Sequence, residues 1–161
     1  MRTRTQQMAP VIAELYPWDE IGSVCDVGGG SGTLLSELCA RVPDLHGVLY
    51  DVPGVTAQAA ALFAEHGIAD RTRIESGSFF ERVPAGCDAY ALKSILPDWD
   101  DERSVAILRN VRDAAGPKGR VLVVEALLPR NSTGLAALVD VQMMVVTNEG
   151  RERSREDYAR L

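Results

Sequence analysis

A glycine cluster between an apolar run and a helical pattern is the part of this sequence best suited to bind a ligand. The apolar run 21–27 enters the glycine-rich segment 28–32, and a helical pattern follows it. This order predicts a strand, a tight turn and a helix start, where glycine lets the backbone turn sharply and approach a ligand closely. Free N–H groups at the helix start would meet a polar ligand. Asp51 ends the next apolar run, where a carboxylate can accept hydrogen bonds from a ribose diol.

The spacing of the glycines separates two classes of nucleoside cofactor. A dinucleotide-binding turn has the pattern G-x-G-x-x-G, whereas here the third glycine is Gly32, and Thr33 stands at the position which that pattern requires. With Asp26 two residues before the first glycine, the turn resembles motif I of methyltransferases that use S-adenosylmethionine (SAM). A glycine-rich turn without a ligand is the alternative.

Composition and charge limit the kind of protein and the kind of partner. The 161 residues are enough for one domain with a hydrophobic core. The net charge of −6 argues against a nucleic-acid substrate, which needs a basic face. No apolar run approaches the ~20 residues of a membrane helix, and no secretory signal is evident. The three cysteines lack metal-ligand spacing, so we expect reduced, mostly buried thiols in a cytoplasmic protein.

Apolar periodicity alternates along the chain between that of strands and that of helices. The pattern predicts strands at 22–27, 47–52, 72–76, 88–95 and 120–127, and helices at 6–16, 32–41, 54–66, 101–115 and 134–147. Gly67 is expected to end a helix, and Asp100 or Asp101 to cap the start of another. Ser154 and Asp157 predict a capping box. Such alternation predicts a parallel sheet with helices on both faces and ligands at the carboxyl ends of its strands.

Six further segments narrow the resemblance from SAM-dependent methyltransferases in general to one family of them. They are D-V-P-G-V at 51–55, G-S-F-F-E-R-V-P at 77–84, Y-A-L-K-S-I-L-P-D-W-D-D-E at 90–102, I-L-R-N at 107–110, V-V-E at 123–125 and G-R-E-R-S at 150–154. In this order, from about Met8 onward, they resemble the catalytic domain of small-molecule O-methyltransferases of the plant caffeate and bacterial polyketide type. The resemblance implies an α/β fold, the Rossmann-like class I methyltransferase fold, with SAM as methyl donor and S-adenosylhomocysteine as its product.

The resemblance also implies where the cofactor would lie. Gly28, Gly30 and Gly32 would approach the methionine part of SAM, and Asp51 would hold the ribose. The other positions implied to bind the cofactor are Asp26, Val52, Ser78, Phe79 and Lys93. Ser78 stands where the family commonly has an acid that contacts adenine, and a serine hydroxyl bonds more weakly than a carboxylate.

The implied catalytic residues are acids around a missing base. In the family, a histidine in an L-H-D-W segment takes the proton from the acceptor hydroxyl, and here that position is Pro97, followed by Asp98. Glu125 and Glu152 match the glutamates that orient that histidine. We therefore expect Glu125, Glu152 and Asp98 as the catalytic residues, and loss of a general base typically costs ~10²–10⁴ in rate.

Three functions are compatible with this pattern. The first is a SAM-dependent O-methyltransferase domain that methylates a hydroxyl of a small aromatic or polyketide-like molecule. The alternatives are a catalytically degenerate SAM-binding domain with a structural or interaction role, and a SAM-fold enzyme that does not methylate. Pro97 favours the alternatives, whereas Asp51, Glu125 and Glu152 favour the first.

The resemblance sets an expectation for domain organisation as well. Residues 1–161 would be the SAM-binding catalytic domain, without the family's N-terminal helical dimerisation domain and its last two strands. The fifth strand would then be an edge that is bare or covered by another chain. Because an uncovered apolar edge favours association, we expect a homo-oligomer or association through this edge.

Two charged clusters are expected to have no binding role. The acids of the segment 98–102 are expected to favour a helix N-terminus rather than to hold a metal ion. Arg151, Arg153 and Arg155 are expected to be a solvated run rather than a phosphate site.

Overall fold

The computed structural model describes residues 4–127 and 150–161. Its helices are α1 (Arg4–Leu15), α2 (Thr33–Arg41), α3 (Ala59–Glu65), α4 (Asp101–Ala115) and α5 (Arg155–Tyr158). Its strands are β1 (Ser23–Val27), β2 (His46–Asp51), β3 (Thr72–Ser76), β4 (Ala89–Lys93) and β5 (Arg120–Val124). Short 3-10 turns lie at Trp18–Glu20, Val55–Gln58, Ala69–Arg71 and Leu96–Asp98.

The five strands form one parallel sheet in the order β3-β2-β1-β4-β5. In register, Cys25 of β1 lies between Val48 of β2 and Tyr90 of β4. The chain runs outward from β1 first to one side and then to the other, so the topological switch point lies at the carboxyl end of β1. The predicted α/β fold with a parallel sheet is confirmed.

The sheet carries a hydrophobic core on each face. Val24 of β1 packs in the core that includes Leu35 of α2 and Phe63 of α3. Cys25 points to the opposite face, where the core includes Ile107 of α4. Successive side chains of a strand point to opposite faces, so burial on both faces explains why β1 reads as a nearly continuous apolar run.

Two predicted strands end earlier than expected. The strand predicted at 88–95 ends at Lys93, because Ser94 has a φ of 55°, a left-handed backbone conformation that no strand continues. The strand predicted at 120–127 ends at Val124, and Leu127 forms only an isolated bridge with Arg153. The helix predicted at 54–66 begins as a 3-10 turn before α3. The helix predicted at 134–147 lies outside the described residues.

The predicted helix ends are confirmed. Asp100 caps α4 by accepting a hydrogen bond from the backbone N–H of Arg103 over 2.8 Å. Ser154 and Asp157 form the capping box at the start of α5. Gly67 follows α3 with a φ of +65°, the left-handed conformation that commonly ends helices.

The predicted burial of the thiols is confirmed. Cys25, Cys39 and Cys87 are buried and free.

The edge strand has exposed apolar side chains. Val121 and Val123 of β5 are 37% and 40% exposed, and among the described strands β5 pairs only with β4. Association through this edge stays a prediction. No helix among the described residues is long and apolar enough to cross a membrane.

Candidate functional site

The glycine turn between β1 and α2 lies at the switch point and leaves space above Gly30. Gly28, Gly30 and Gly32 all have positive φ. A Cβ on Gly28 would lie 2.5 Å from Ile95 Cδ1, and a Cβ on Gly32 would lie 2.9 Å from the ring of Phe63. A Cβ on Gly30 would have no protein atom within 4 Å. Close contacts together with positive φ favour glycine at the two outer positions, whereas Gly30 faces an open cleft.

Asp51 at the end of β2 is hydrogen bonded to this turn. Its Oδ2 accepts a hydrogen bond from the backbone N–H of Gly30 over 2.8 Å, and its Oδ1 accepts one from Val52 over 2.7 Å. Each carboxylate oxygen can accept more than one hydrogen bond. Asp51 therefore fixes the turn and retains acceptor capacity for a ligand hydroxyl.

Asp26 lies buried directly beneath the turn. It is 2% exposed, and its Oδ2 has no hydrogen-bond partner among the described residues. Burial raises the pKa of Asp26 to about 7; Lys93 opposes this rise, and the charge of Asp51 adds to it. A Cβ on Gly29 would lie 2.4 Å from this oxygen. The Asp26 carboxylate receives a hydrogen bond from the backbone of Leu35, but a buried polar oxygen without a partner costs free energy, so a cationic or N–H-bearing ligand would stabilise Oδ2.

A cleft of about 260 Å³ lies over these residues, and we call it the donor cleft. Its lining includes Asp26, Gly30 and Lys93 together with Thr5 of α1. These residues fit SAM, whose sulfonium and ammonium groups are cationic: Asp26 offers a buried acid, and Gly30 leaves the space open. Asp51 is hydrogen bonded to Gly30, and its contact with a ribose stays a prediction.

Five of the predicted cofactor residues do not line the donor cleft, namely Gly32, Asp51, Val52, Ser78 and Phe79. Val52 is 45% exposed, and Ser78 Oγ accepts a hydrogen bond from the backbone N–H of Phe80 over 3.3 Å. The ring of Phe79 is 3.4 Å from where a Cβ on Gly28 would lie. Their contacts with a cofactor stay predictions.

A second cleft of about 200 Å³ adjoins the first, and we call it the acceptor cleft. The three predicted catalytic acids and the base position all line it, namely Asp98, Glu125, Glu152 and Pro97. Lys93 and Ser94, at the end of β4, line both clefts. A group bound in one cleft therefore lies beside a group bound in the other.

Glu125 is anchored at the wall of the acceptor cleft. Its Oε1 accepts a hydrogen bond from the backbone N–H of Ile95 over 2.9 Å. Burial raises the pKa of Glu125 to about 7; hydrogen bonds from backbone N–H groups oppose this rise, and the charge of Glu152 adds to it. Desolvation also raises the pKa of Asp98 above its ordinary value. Glu125 can therefore exchange a proton near neutral pH.

Arg153 supports the turn that carries Pro97, and its predicted exposure is wrong. The residue is 1% exposed, and its guanidinium donates to the carbonyl oxygens of Leu96 and Trp99, each over 2.8 Å. It also pairs with Asp101 over 2.9 Å. The short 3-10 turn leaves carbonyl groups that need a donor, and Arg153 supplies it. Nothing in the spacing of the arginines signals this contact, because the partners are about fifty residues away.

The remaining acids and aromatic residues of this region have structural roles. Asp100 is the helix cap, and Asp101 also pairs with Arg151 over 2.6 Å, so the expected helix N-terminus is confirmed. Within residues 4–127 and 150–161, no group of three or more potential ligands is arranged to hold a metal ion. Trp99 packs edge-on against Phe79, with ring centroids 6.2 Å apart.

Comparison with known proteins gives a consistent result over the whole chain. Residues 1–161 match the model of a family described as the O-methyltransferase domain. The chain is 43% identical over 167 residues to the O-demethylpuromycin-O-methyltransferase of Streptomyces alboniger, an alignment that covers 100% of this chain and 44% of that protein. The chain thus spans less than half the length of this curated relative.

Solved structures share the fold. The structure of a mitomycin 7-O-methyltransferase superposes with a TM-score of 0.92 at 35% identity, over 97% of this chain and 46% of that one. An O-methyltransferase from neocarzinostatin biosynthesis, solved with SAM and 2-hydroxy-5-methyl naphthoic acid, superposes with a TM-score of 0.84 at 38% identity, over 97% of this chain and 48% of that one.

Proposed function

Since this chain belongs to the O-methyltransferase domain family, which uses SAM, we propose that it is a catalytic domain that transfers the methyl group of SAM to a hydroxyl of a small aromatic or polyketide-like molecule. The observation that carries this proposal is the pair of adjoining clefts. The donor cleft has the features that fit SAM, and the acceptor cleft shares Lys93 and Ser94 with it. Adjoining clefts allow a donor and an acceptor to be held in contact.

On the donor side, the residues of this chain would bind and orient the cofactor. SAM supplies a methyl group activated by a positively charged sulfur. Asp26 would hold a cationic group of SAM from below the turn, and Asp51 would hold the ribose through its remaining acceptor capacity. Gly30 would let the ligand lie against the backbone.

On the acceptor side, the residues would position a hydroxyl for in-line attack. Holding two reactants in contact at the right angle removes a large part of the entropic barrier of a bimolecular step. Met8 and Ala126 contribute apolar surface to the acceptor cleft, and Asp98 contributes an acidic group. An aromatic ring with a polar substituent matches this lining.

Calorimetry with SAM and a transfer assay with radiolabelled SAM test the proposal. We expect SAM to bind and the label to appear in at least one acceptor from a panel that includes 1,4-dihydroxy-2-naphthoic acid and 2-hydroxy-5-methyl naphthoic acid. A folded chain that fails to bind SAM at millimolar concentration would contradict the proposal.

Pro97 favours a second candidate, a SAM-binding domain without methyl transfer. Proline has no proton acceptor, and here it is buried at the wall of the acceptor cleft. SAM binding with no transfer to any member of the panel would favour this candidate. A SAM-dependent change in an acceptor without transfer of the label would favour an enzyme of the same fold with other chemistry.

A further inference from the structure

The wall of the acceptor cleft that carries Pro97 is bonded to a glutamate. Pro97 belongs to the 3-10 turn Leu96–Asp98, and the residue before that turn, Ile95, donates its backbone N–H to Glu125 Oε1 over 2.9 Å. Pro97 and Glu125 line the same cleft. The segment that carries Pro97 in place of a base therefore holds Glu125 in the same cleft as Pro97.

We propose that Glu125 itself accepts the proton of the acceptor hydroxyl during methyl transfer. This role differs from the one that the family resemblance implies, in which the matching glutamate orients a histidine. The inference rests on the proposed function, because it assigns the proton acceptor of that same reaction. Three observations support the inference: the Glu125 carboxylate is anchored at the wall of the acceptor cleft, it is bonded to the segment that carries Pro97, and the donor cleft adjoins the acceptor cleft.

The charges around Glu125 suit a base that works near neutral pH. Burial raises its pKa to about 7, the charge of Glu152 adds to this rise, and Lys93 opposes it. Burial raises the pKa of Tyr158 in α5, and the charge of Glu125 adds to this rise. Asp98 lines the same cleft as Glu125. A general base is most effective when its pKa lies near the working pH.

Glu125 suits this role better than Asp98 because it is held in place. Asp98 is exposed, and no hydrogen bond to its side chain is described. A base acts only when it lies within hydrogen-bond reach of the proton it removes, and the hydrogen bond from Ile95 fixes the Glu125 carboxylate at the cleft wall.

The step conserves protons and electron pairs. The O–H bond of the acceptor breaks, and the proton passes to the Glu125 carboxylate. An oxygen electron pair forms the new O–C bond to the methyl carbon. The S–C bond breaks, and its electron pair stays on sulfur, which leaves S-adenosylhomocysteine as a neutral thioether. Glu125 then returns the proton to water.

The test compares two phenols that differ in their need for a base. 1-Naphthol is un-ionised at pH 8 and needs a proton acceptor, whereas 4-nitro-1-naphthol is already ionised. The variant Glu125→Gln retains an oxygen that can accept from Ile95. We expect kcat for 1-naphthol to fall by about 10²-fold or more, with KM little changed, and kcat for 4-nitro-1-naphthol to change far less. Glu102→Gln, an exposed glutamate that lines neither cleft, is the matched control and should alter neither rate.

The pH profile gives an independent measurement. In the wild type, kcat for 1-naphthol should rise with pH up to about 7, because only the ionised carboxylate accepts a proton. This rise should be absent in Glu125→Gln. The double variant Pro97→His with Glu125→Gln should regain activity toward 1-naphthol, since histidine supplies a base at the neighbouring position.

Several outcomes would overturn the inference. Equal losses on both phenols would indicate a structural role for Glu125, and unchanged rates on both would show that it takes no proton. A folded double variant as slow on 1-naphthol as Glu125→Gln would place proton transfer outside this wall of the cleft. If wild-type protein binds SAM but methylates neither phenol nor any other acceptor of the panel, the proposed function itself fails, and the inference fails with it.

Discussion

The backbone N–H of Gly30 donates to the carboxylate of Asp51 over 2.8 Å, which joins the glycine turn after β1 to the end of β2. The contact brings together two features that are 21 residues apart in sequence. A substitution at Asp51 would therefore remove acceptor oxygens and also alter the turn.

Replacing Asp51 with alanine should weaken SAM binding. A lost hydrogen bond to a charged group costs about 1–3 kcal/mol, which is roughly a 5- to 150-fold rise in Kd. Calorimetry measures the change, and Asp51→Asn, which keeps an acceptor for Gly30, should lose less. An unchanged Kd in a folded Asp51→Ala variant would show that the ribose is not held there.

Valine in place of Gly30 should abolish SAM binding while the protein still folds. A Cβ at this position has no protein atom within 4 Å, so the valine side chain would extend into the donor cleft. The φ of +61° adds strain of about 1–2 kcal/mol. The matched variant Gly32→Val should lower Tm further, because its Cβ would lie 2.9 Å from Phe63. Full SAM affinity in Gly30→Val would place the cofactor elsewhere.

Asp26 should release a proton when SAM binds at pH 6. Its pKa of about 7 leaves it mostly protonated there, and a nearby cation favours the ionised form. Calorimetry in buffers of different ionisation enthalpy should show release of up to about one proton at pH 6 and close to none at pH 8.5. Asp26→Asn should remove the release, and its persistence in that variant would assign the proton to another group.

The same pKa has a consequence for stability. Because the folded-state pKa of Asp26 is raised above the ordinary value of 3.8, the folded chain binds the proton more tightly than the unfolded chain. The free energy of unfolding therefore falls as pH rises from about 4 to 7, by about 1.4 kcal/mol for each pKa unit. Asp26→Asn should flatten this dependence in denaturant titrations.

Aspartate in place of Ser78 should tighten SAM binding. A carboxylate accepts a hydrogen bond more strongly than a hydroxyl does, and the only described hydrogen bond of the Ser78 hydroxyl is with the backbone N–H of Phe80. Calorimetry on Ser78→Asp, with Ser78→Ala as the control, tests this. An unchanged or weaker affinity in a folded Ser78→Asp variant would show that adenine does not reach this residue.

Methionine in place of Arg153 should destabilise the chain by about 1–3 kcal/mol, since it removes the charged donor from buried carbonyl groups. The carbonyl groups of Leu96 and Trp99 lose their guanidinium contacts. Thermal melts should show the loss, whereas Arg155→Met, at an exposed arginine two residues away, should change stability by about 0.5 kcal/mol or less. Equal effects of the two substitutions would contradict the supporting role of Arg153.

The features that follow from local pattern could be predicted from the sequence. The apolar run before Gly28 has to be a strand buried on both faces, and the capping groups of Asp100 and Ser154 act on residues three positions away. The grouping of Pro97, Glu125 and Glu152 in one cleft was implied by the resemblance. All of these depend on short spacing or on a known arrangement.

The features that depend on distant contacts could not be predicted. Arg153 is surrounded by charged neighbours in sequence and reads as solvated, yet its partners lie near residues 96–104. The early end of β4 depends on the left-handed backbone of Ser94, a conformation that a serine rarely adopts. The raised pKa values of Asp26 and Glu125 depend mainly on burial, and the spacing of residues in the sequence does not show how deeply a side chain is buried.

The common wall of the two clefts limits how this domain can be redesigned. Any substitution at Lys93 or Ser94 that aims to change the choice of acceptor will also alter the lining of the donor cleft. Met8 and Ala126 line the acceptor cleft alone, so changes there can alter acceptor preference and leave the donor cleft intact. A library built to accept new aromatic molecules should therefore vary those two positions and keep the end of β4 fixed.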